Sequence, residues 1–210
     1  MTIEIIECEQ GSDDWFRARA GIPTASEFQT LLMAGRGGGE SKTRATYLKK
    51  LAGERITGEP MEHYSNGYME RGHAMEAEAR EMYGFVHDAE LIKVGFVRNG
   101  RKGCSPDSLA GDVGGVEIKT KAPHILIDVL EKDEIPNEHI AQLQGFLWVC
   151  EREWVDLVCY WPKMPPFIKR AYRDEIYIAK LARAVDDFND ELDALVEKIR
   201  AYGSAQRKSA

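Results

Sequence analysis

The sequence predicts a mixed α/β fold, a central mixed β-sheet flanked by helices. Three observations carry this. Helical periodicity comes first, between Ala25 and Tyr83. Short period-2 segments joined by glycine-rich turns follow, between Leu91 and Thr120. Helical periodicity then returns at Asn137–Cys150 and, after two further strand-like runs, at Asp174–Tyr202. Helices on either side of a block of strands pack as layers on one sheet.

Thr24-Ala-Ser-Glu27 is a capping-box pattern, so a helix is expected to start near Ala25 and to end before the Gly35–Gly39 loop. Ser41–Thr57 reads as a second helix, closed by Gly58 and Pro60. Met69–Tyr83 reads as a third, with Met75, Ala79 and Met82 on its buried face and Gly84 as its stop. Leu91–Val97, Cys104–Leu109 and Val116–Thr120 read as strands, as do Trp154–Trp161 and Phe167–Tyr172. In the C-terminal helix, Ile178, Leu181, Val185, Phe188, Leu192, Leu195 and Ile199 fall at helical spacing. The 210 residues suit a single domain over residues 1–210, with a flexible small-residue tail at 203–210.

Composition excludes several classes. No basic start joins an apolar run and no apolar stretch is long enough to span a bilayer, so neither a signal peptide nor a membrane partner is expected. The four cysteines, Cys8, Cys104, Cys150 and Cys159, are scattered, which suits free thiols in a reducing cytoplasm and not an iron–sulfur site. The net charge of −7 argues against a protein coated in nucleic acid. Charge is unevenly spread: Phe16–Arg55 holds eight Lys or Arg against three acids, and Asp174–Glu197 eight acids against two bases. A basic N-terminal part able to hold phosphates, with an acidic helix facing elsewhere, is one reading; two solvated faces is the plainer one.

Chemistry concentrates in Ser105-Pro-Asp107 and, ten positions on, Glu117-Ile-Lys119. Strand residues at i and i+2 share a face, so Glu117 and Lys119 project together, and a hairpin between their strand and the 104–109 strand sets Asp107 beside Glu117. Two carboxylates held together repel unless a cation lies between them. Oxygen ligands suit Mg²⁺ or Mn²⁺ better than zinc, and the backbone carbonyl of Ile118 offers a further oxygen. Lys119 can orient the attacking water or steady charge growing on a phosphate. An ordinary hairpin with a surface salt bridge has the same residues. Against it, the charges occupy a strand face that would otherwise be apolar.

The spacing resembles the PD-(D/E)xK nuclease superfamily, and the wider chain is similar to the phage lambda exonuclease family, also called the YqaJ-type viral recombinase family. The similarity runs from Gly11 to about Trp161. It is carried by Trp15-Phe-Arg-Ala-Arg-Ala-Gly-Ile-Pro-Thr-Ala-Ser-Glu27, Arg71-Gly-His-Ala-Met-Glu-Ala-Glu-Ala-Arg80, Cys104-Ser-Pro-Asp-Ser-Leu109, Glu117-Ile-Lys119 and Ala141-Gln-Leu-Gln144, in the family's order. Lys121 to Asn137 does not follow the pattern.

The resemblance implies that Asp107 and Glu117 are metal-binding carboxylates and Lys119 the catalytic lysine. Glu76 matches a helical glutamate that completes the acidic site, against the alternative of a solvated residue among Glu78 and Glu81. Gln142 matches a glutamine near the metal, with Gln144 as competitor. Arg19, Ser26 and Arg36 match a 5′-phosphate pocket; Ser26 in a helix's first turn and two arginines suit an anion. Trp15 is expected to pack and not to stack on a base. The implied activity is 5′-to-3′ digestion of one strand of linear double-stranded DNA. It releases 5′-mononucleotides and leaves a 3′ single strand for recombination by annealing. Mg²⁺ is the implied cofactor, with Mn²⁺ as substitute. A homotrimer, a phage single-strand annealing protein as partner and the cytoplasm of a bacterial host complete the expectation. The rivals are a structure-specific endonuclease of the same superfamily and a DNA-end-binding recombination protein without turnover.

Overall fold

The computed structural model describes residues 3–35, 41–61 and 67–208, with the side chains of 67–71, 73 and 203–208 outside the description. Its strands form two sheets. A small one has the order β1 (Ile3–Ile6), β3 (Phe96–Asn99), β4 (Lys102–Cys104). The central one has the order β2 (Leu91–Ile92), β5 (Ser108–Ala110), β6 (Gly114–Thr120), β7 (Trp154–Tyr160), β8 (Phe167–Tyr172). In the central sheet β6 and β7 run parallel and the other neighbours antiparallel, so the sheet is mixed as expected.

Two expected strands are each divided between the sheets. Leu91–Val97 breaks into β2 and β3, because at Gly95 the backbone of Cys8 lies too close for any side chain: an added Cβ would sit 2.4 Å from the Cys8 carbonyl oxygen. Cys104–Leu109 breaks at Pro106, which has no N–H to continue a ladder. The Gln10 amide bridges both breaks, donating to Val94 O at 2.9 Å and to Pro106 O at 2.8 Å.

The helices are α1 (Asp13–Arg19), α2 (Phe28–Leu32), α3 (Lys42–Thr57), α4 (Gly67–His87), α5 (Pro123–Lys132), α6 (Asn137–Val149) and α7 (Glu175–Lys208). Sequence periodicity misses α1, whose cap is Ser12 Oγ accepting from Trp15 N at 3.3 Å, and α5, which opens on Pro123. The helix expected from Ala25 is a three-residue 3-10 turn, Ala25–Glu27, followed by the short α2. The capping box does not form: Glu27 Oε2 accepts from Thr30 Oγ1, and the Thr24 N–H donates to Tyr47 OH. Gly84 does not stop α4, which runs on to His87 and gives way at Asp88 in the left-handed region. The backbone of α7 continues past Tyr202 to Lys208.

The central sheet separates two apolar clusters. Met75, Ala79 and Tyr83 of α4 pack with Val116, Ile118 and Val158 on one face, and Met82 is partly buried against them. Phe28, Leu51, Phe146, Leu157 and Phe188 belong to the larger cluster on the other. Since β6 alternates, Glu117 and Lys119 leave the sheet on the α6 side. The acidic α7 does not face away from the basic segment. Arg44 of α3 forms a bidentate pair with Glu191, and Arg55 pairs with Asp193. Arg101 pairs with Asp190 and Asp193. Much of the N-terminal positive charge is thus used inside the fold. No helix among the described residues is long and apolar enough to cross a membrane, and all four cysteines are free.

Candidate active site

Three segments meet at the start of β6: the Pro106–Ser108 corner, β6 itself and α6. In the β5–β6 hairpin Ser108 stands opposite Val116, which brings Asp107 level with Glu117. Asp107 Oδ2 accepts a 2.6 Å hydrogen bond from the Ile118 N–H. Glu117 is only 2% exposed; its Oε1 accepts from Gln142 Nε2 and lies 2.8 Å from Lys119 Nζ. Its Oε2 is buried with no hydrogen-bond partner.

The electrostatics leave one buried carboxylate oxygen, Glu117 Oε2, without a donor. Burial first, then the Glu117 and Glu76 carboxylates, push the Asp107 carboxyl well above the ordinary range, against the Ile118 N–H and Lys119. Burial acts to lower Lys119, but Glu117 beside it, with Asp107 and Glu76, lifts it above its ordinary value, so it remains an ammonium. A buried carboxylate oxygen with no donor is costly. Asp107 and Glu117 form an oxygen donor pair that fits a hard divalent ion keeping several of its waters. Among the described residues no three His, Cys, Asp or Glu side chains gather as a metal cage, while Glu76 acts through its charge on both Asp107 and Lys119.

Glu76 instead pairs with Arg80 one turn on, whose Nε donates to Ser108 Oγ at 2.9 Å. Ser108 in turn donates to the Asp107 carbonyl at 2.6 Å. This relay ties α4 to the corner that carries Asp107. Arg80 is absent from the sequence reading, although its position four residues after Glu76 is a readable ion-pair spacing. The glutamines separate cleanly. Gln142 faces Glu117, whereas Gln144 is buried, donates to Tyr172 O at 2.8 Å and accepts from Asp174 N at 2.9 Å. Gln144 joins the end of β8 to the start of α7.

Arg19 lies on the same side as the corner. Its Nη1 donates to Ser105 Oγ at 2.7 Å, and the guanidinium stacks 4.2 Å from the Trp15 ring centroid. Trp15 Nε1 also donates to Ser105 Oγ, at 2.9 Å, so Trp15 packs and orients as expected. Burial lowers Arg19 from its usual value, without approaching deprotonation at neutral pH. Arg19 Nη2 lies 3.5 Å from Thr24 Oγ1, which is 3.2 Å from Ser26 Oγ. Thr24 therefore links Arg19 to Ser26. The 3-10 turn at Ser26 is too short to contribute the helix dipole expected there. Arg36 lies outside the described residues. The Gly21 turn between Arg19 and Ser26 is clamped by α3: Gly21 N donates to Glu54 Oε2 at 2.7 Å, and Arg55 Nε donates to Gly21 O at 2.7 Å. A cavity of about 750 Å³ opens beside Arg19, lined also by Trp15, Thr24, Lys42, Tyr47 and Lys50. Ser105 and Thr24 were missed as site residues. Ser105 had a signal, since it belongs to the same Ser-Pro-Asp segment as Asp107.

Comparison with known proteins gives the family and the fold. A crystal structure of LHK-Exo in complex with dAMP superposes with a TM-score of 0.84 at 29% identity, covering 93% of this chain and 100% of the other. An alkaline exonuclease, LHK-Exo from Laribacter hongkongensis, superposes with a TM-score of 0.82 at 28% identity over the same shares. A phage related exonuclease from Haemophilus somnus 129PT shares the fold, with a TM-score of 0.66 at 15% identity over 85% of this chain and 96% of that one. No curated protein matches the chain in sequence. The profile of the YqaJ-like viral recombinase domain matches residues 14–153, which include the Asp107 corner, β6 and Gln142, and the chain belongs to that family.

Proposed function

We propose that the protein is a metal-dependent 5′-to-3′ exonuclease acting on linear double-stranded DNA. In this reading it releases 5′-mononucleotides and leaves a 3′ single strand for annealing-type recombination. The observation that carries it is Glu117, buried with one carboxylate oxygen held by Gln142 and Lys119 and the other without a partner, next to Asp107. The similarity to alkaline exonucleases supports the same reading.

Mg²⁺ is the cofactor we assign, with Mn²⁺ as substitute; bound, it lowers the pKa of a water and polarises a phosphoryl oxygen. Asp107, Glu117 and the Ile118 carbonyl would hold it. The chain's own residues do the rest. Gln142 fixes the Glu117 carboxylate in orientation. Lys119, kept protonated, places positive charge where a phosphate becomes more negative. Glu76 with Arg80 holds the Asp107 corner through Ser108. Arg19 and Ser26, with Arg36, would grip a terminal 5′-phosphate. We also assign, on family resemblance, a homotrimer working in the bacterial cytoplasm with a phage single-strand annealing protein.

The deciding experiment digests linear duplexes labelled at either end, with a 5′-phosphate or a 5′-hydroxyl, in Mg²⁺ or in EDTA. Release of 5′-labelled mononucleotides that depends on Mg²⁺ supports the reading. Nicking of closed circles would favour a superfamily endonuclease, and binding without turnover a recombination scaffold.

A further inference from the structure

One residue past β6, the Lys121 N–H donates to Tyr160 O at 3.1 Å, which carries the ladder on and sets a third charged residue in line with Glu117 and Lys119. Residues 117, 119 and 121 share a face, and Lys121 lies about 6.6 Å beyond Lys119 along the strand. Its side chain is 14% exposed, held against Glu138 with Nζ 2.8 Å from Oε1, whereas Glu138 is 65% exposed. The cation is fixed in the fold and its carboxylate partner stands in solvent.

Beside that same Glu138 oxygen, at 3.5 Å, lies His139 Nε2. His139 is 9% exposed, and its Nε2 is buried with no hydrogen-bond partner. Both residues occupy the first turn of α6, a thirteen-residue helix that begins at Pro136 with no side-chain cap. A largely buried lysine and an imidazole nitrogen lacking a hydrogen-bond partner therefore converge on one oxygen of Glu138, within the first turn of α6, the end of a helix that favours anions. In the DNA-free chain a solvent-exposed carboxylate oxygen sits there.

We propose that Lys121, His139 and the N-terminal turn of α6 form a second anion site, which takes a backbone phosphodiester next to the scissile one, and that Glu138 occupies it until DNA arrives. The site rests on the reading of Asp107, Glu117 and Lys119 as the hydrolytic centre, because it continues the β6 line that those residues define. Glu138 lends its oxygen to Lys121 in free protein and swings into solvent when a phosphate oxygen replaces it.

The test is duplex binding without turnover, by fluorescence anisotropy in Ca²⁺ across a salt series, using full-length protein. Loss of one phosphate contact lowers the slope of log K against log salt by about 0.9. Lys121→Met should lower the slope by that amount, and a duplex carrying one methylphosphonate beside the scissile position should do the same to wild type. The two losses should not add when combined. Glu138→Gln should bind duplex more tightly than wild type, because the competing anion is gone. His139 imidazole resonances of the wild type should shift on titration with the unmodified duplex and much less with the methylphosphonate one, a readout that no folding defect affects. An unchanged slope in Lys121→Met, or weaker binding by Glu138→Gln, overturns the site. Wild type that binds duplex but shows no Mg²⁺-dependent cleavage overturns the hydrolytic reading instead, while the salt slopes still judge the anion site.

Discussion

Asp107 Oδ2 accepts its 2.6 Å hydrogen bond from the backbone of Ile118, the residue between Glu117 and Lys119. One carboxylate thereby fixes the register of the opposite strand and stands beside the other. The bond also sets the cost of the pair, because it holds two carboxylates at a separation they would not choose.

Removing either carboxylate should abolish hydrolysis. Asp107→Ala and Glu117→Ala should lose nucleotide release by at least about a thousandfold, the scale on which a missing electrostatic centre acts. Lys119→Ala should lose turnover while duplex affinity changes little. Mononucleotide release followed by chromatography measures all three, and near-normal release by Asp107→Ala would exclude this site.

The Asp107 carboxyl has a second consequence, in stability. Its folded-state pKa is raised, so the folded chain retains a proton that the unfolded chain has already released. Without metal, stability should fall as pH rises from the ordinary carboxylate range through the folded value. A divalent cation replaces that proton. Added Mg²⁺ should therefore raise Tm more at an alkaline pH than at an acid one, and Asp107→Asn should lose the response. Calorimetry with and without Mg²⁺ at the two pH values checks it, and an equal Mg²⁺ effect at both would refute it.

His139 titrates in the opposite sense. Burial first, then Lys121 and Lys119, depress its pKa to about 4, with Glu138 opposing. Between the ordinary value near 6.5 and about 4, the unfolded chain takes up a proton that the folded chain refuses. That stability is fully present above about pH 6.5 and is lost as pH falls through this window, by at most about 3 kcal/mol. His139→Gln should flatten the dependence in urea melts between those limits; an unchanged slope would mean that another group supplies it.

Gln142 and Gln144 should separate by phenotype. Gln142→Ala frees Glu117 and should reduce turnover with little loss of stability. Gln144→Ala strands the Tyr172 carbonyl and the Asp174 N–H, and should cost about 1–3 kcal/mol of stability while leaving the site chemistry in place. Urea melts beside initial rates decide; the reverse pattern would reassign the two residues.

Arg19 should decide end preference. A guanidinium aimed at a terminal phosphate favours the dianionic monoester over a bridging diester. Duplex with a 5′-phosphate should be cut faster than duplex with a 5′-hydroxyl. Arg19→Ala should remove most of that ratio, at about 1.5–3 kcal/mol or roughly tenfold to a hundredfold. Equal rates on both substrates in wild type would show that the pocket lies elsewhere.

By itself the sequence determined the mixed α/β class, β6 through β8, α3, α6 and α7, and the Asp107, Glu117 and Lys119 set. Each of these is written in local periodicity, in strand residues two positions apart or, for Asp107, in a short hairpin that sets it level with Glu117. It did not determine where strands break or which partner a residue meets. Gly95 and Pro106 lie where the strands break, the one pressed against the Cys8 backbone and the other without an N–H, and the first of these is a contact 87 positions away in the chain. Thr24 and Glu27 abandon a capping box because Tyr47 and Thr30 offer nearer partners. The choice between Gln142 and Gln144, the pairing of basic α3 with acidic α7, and the meeting of Lys121, Glu138 and His139 were decided only by tertiary structure. Hydrogen bonds and ion pairs are short-ranged, and sequence separation says nothing about which side chains packing brings within about 3 Å.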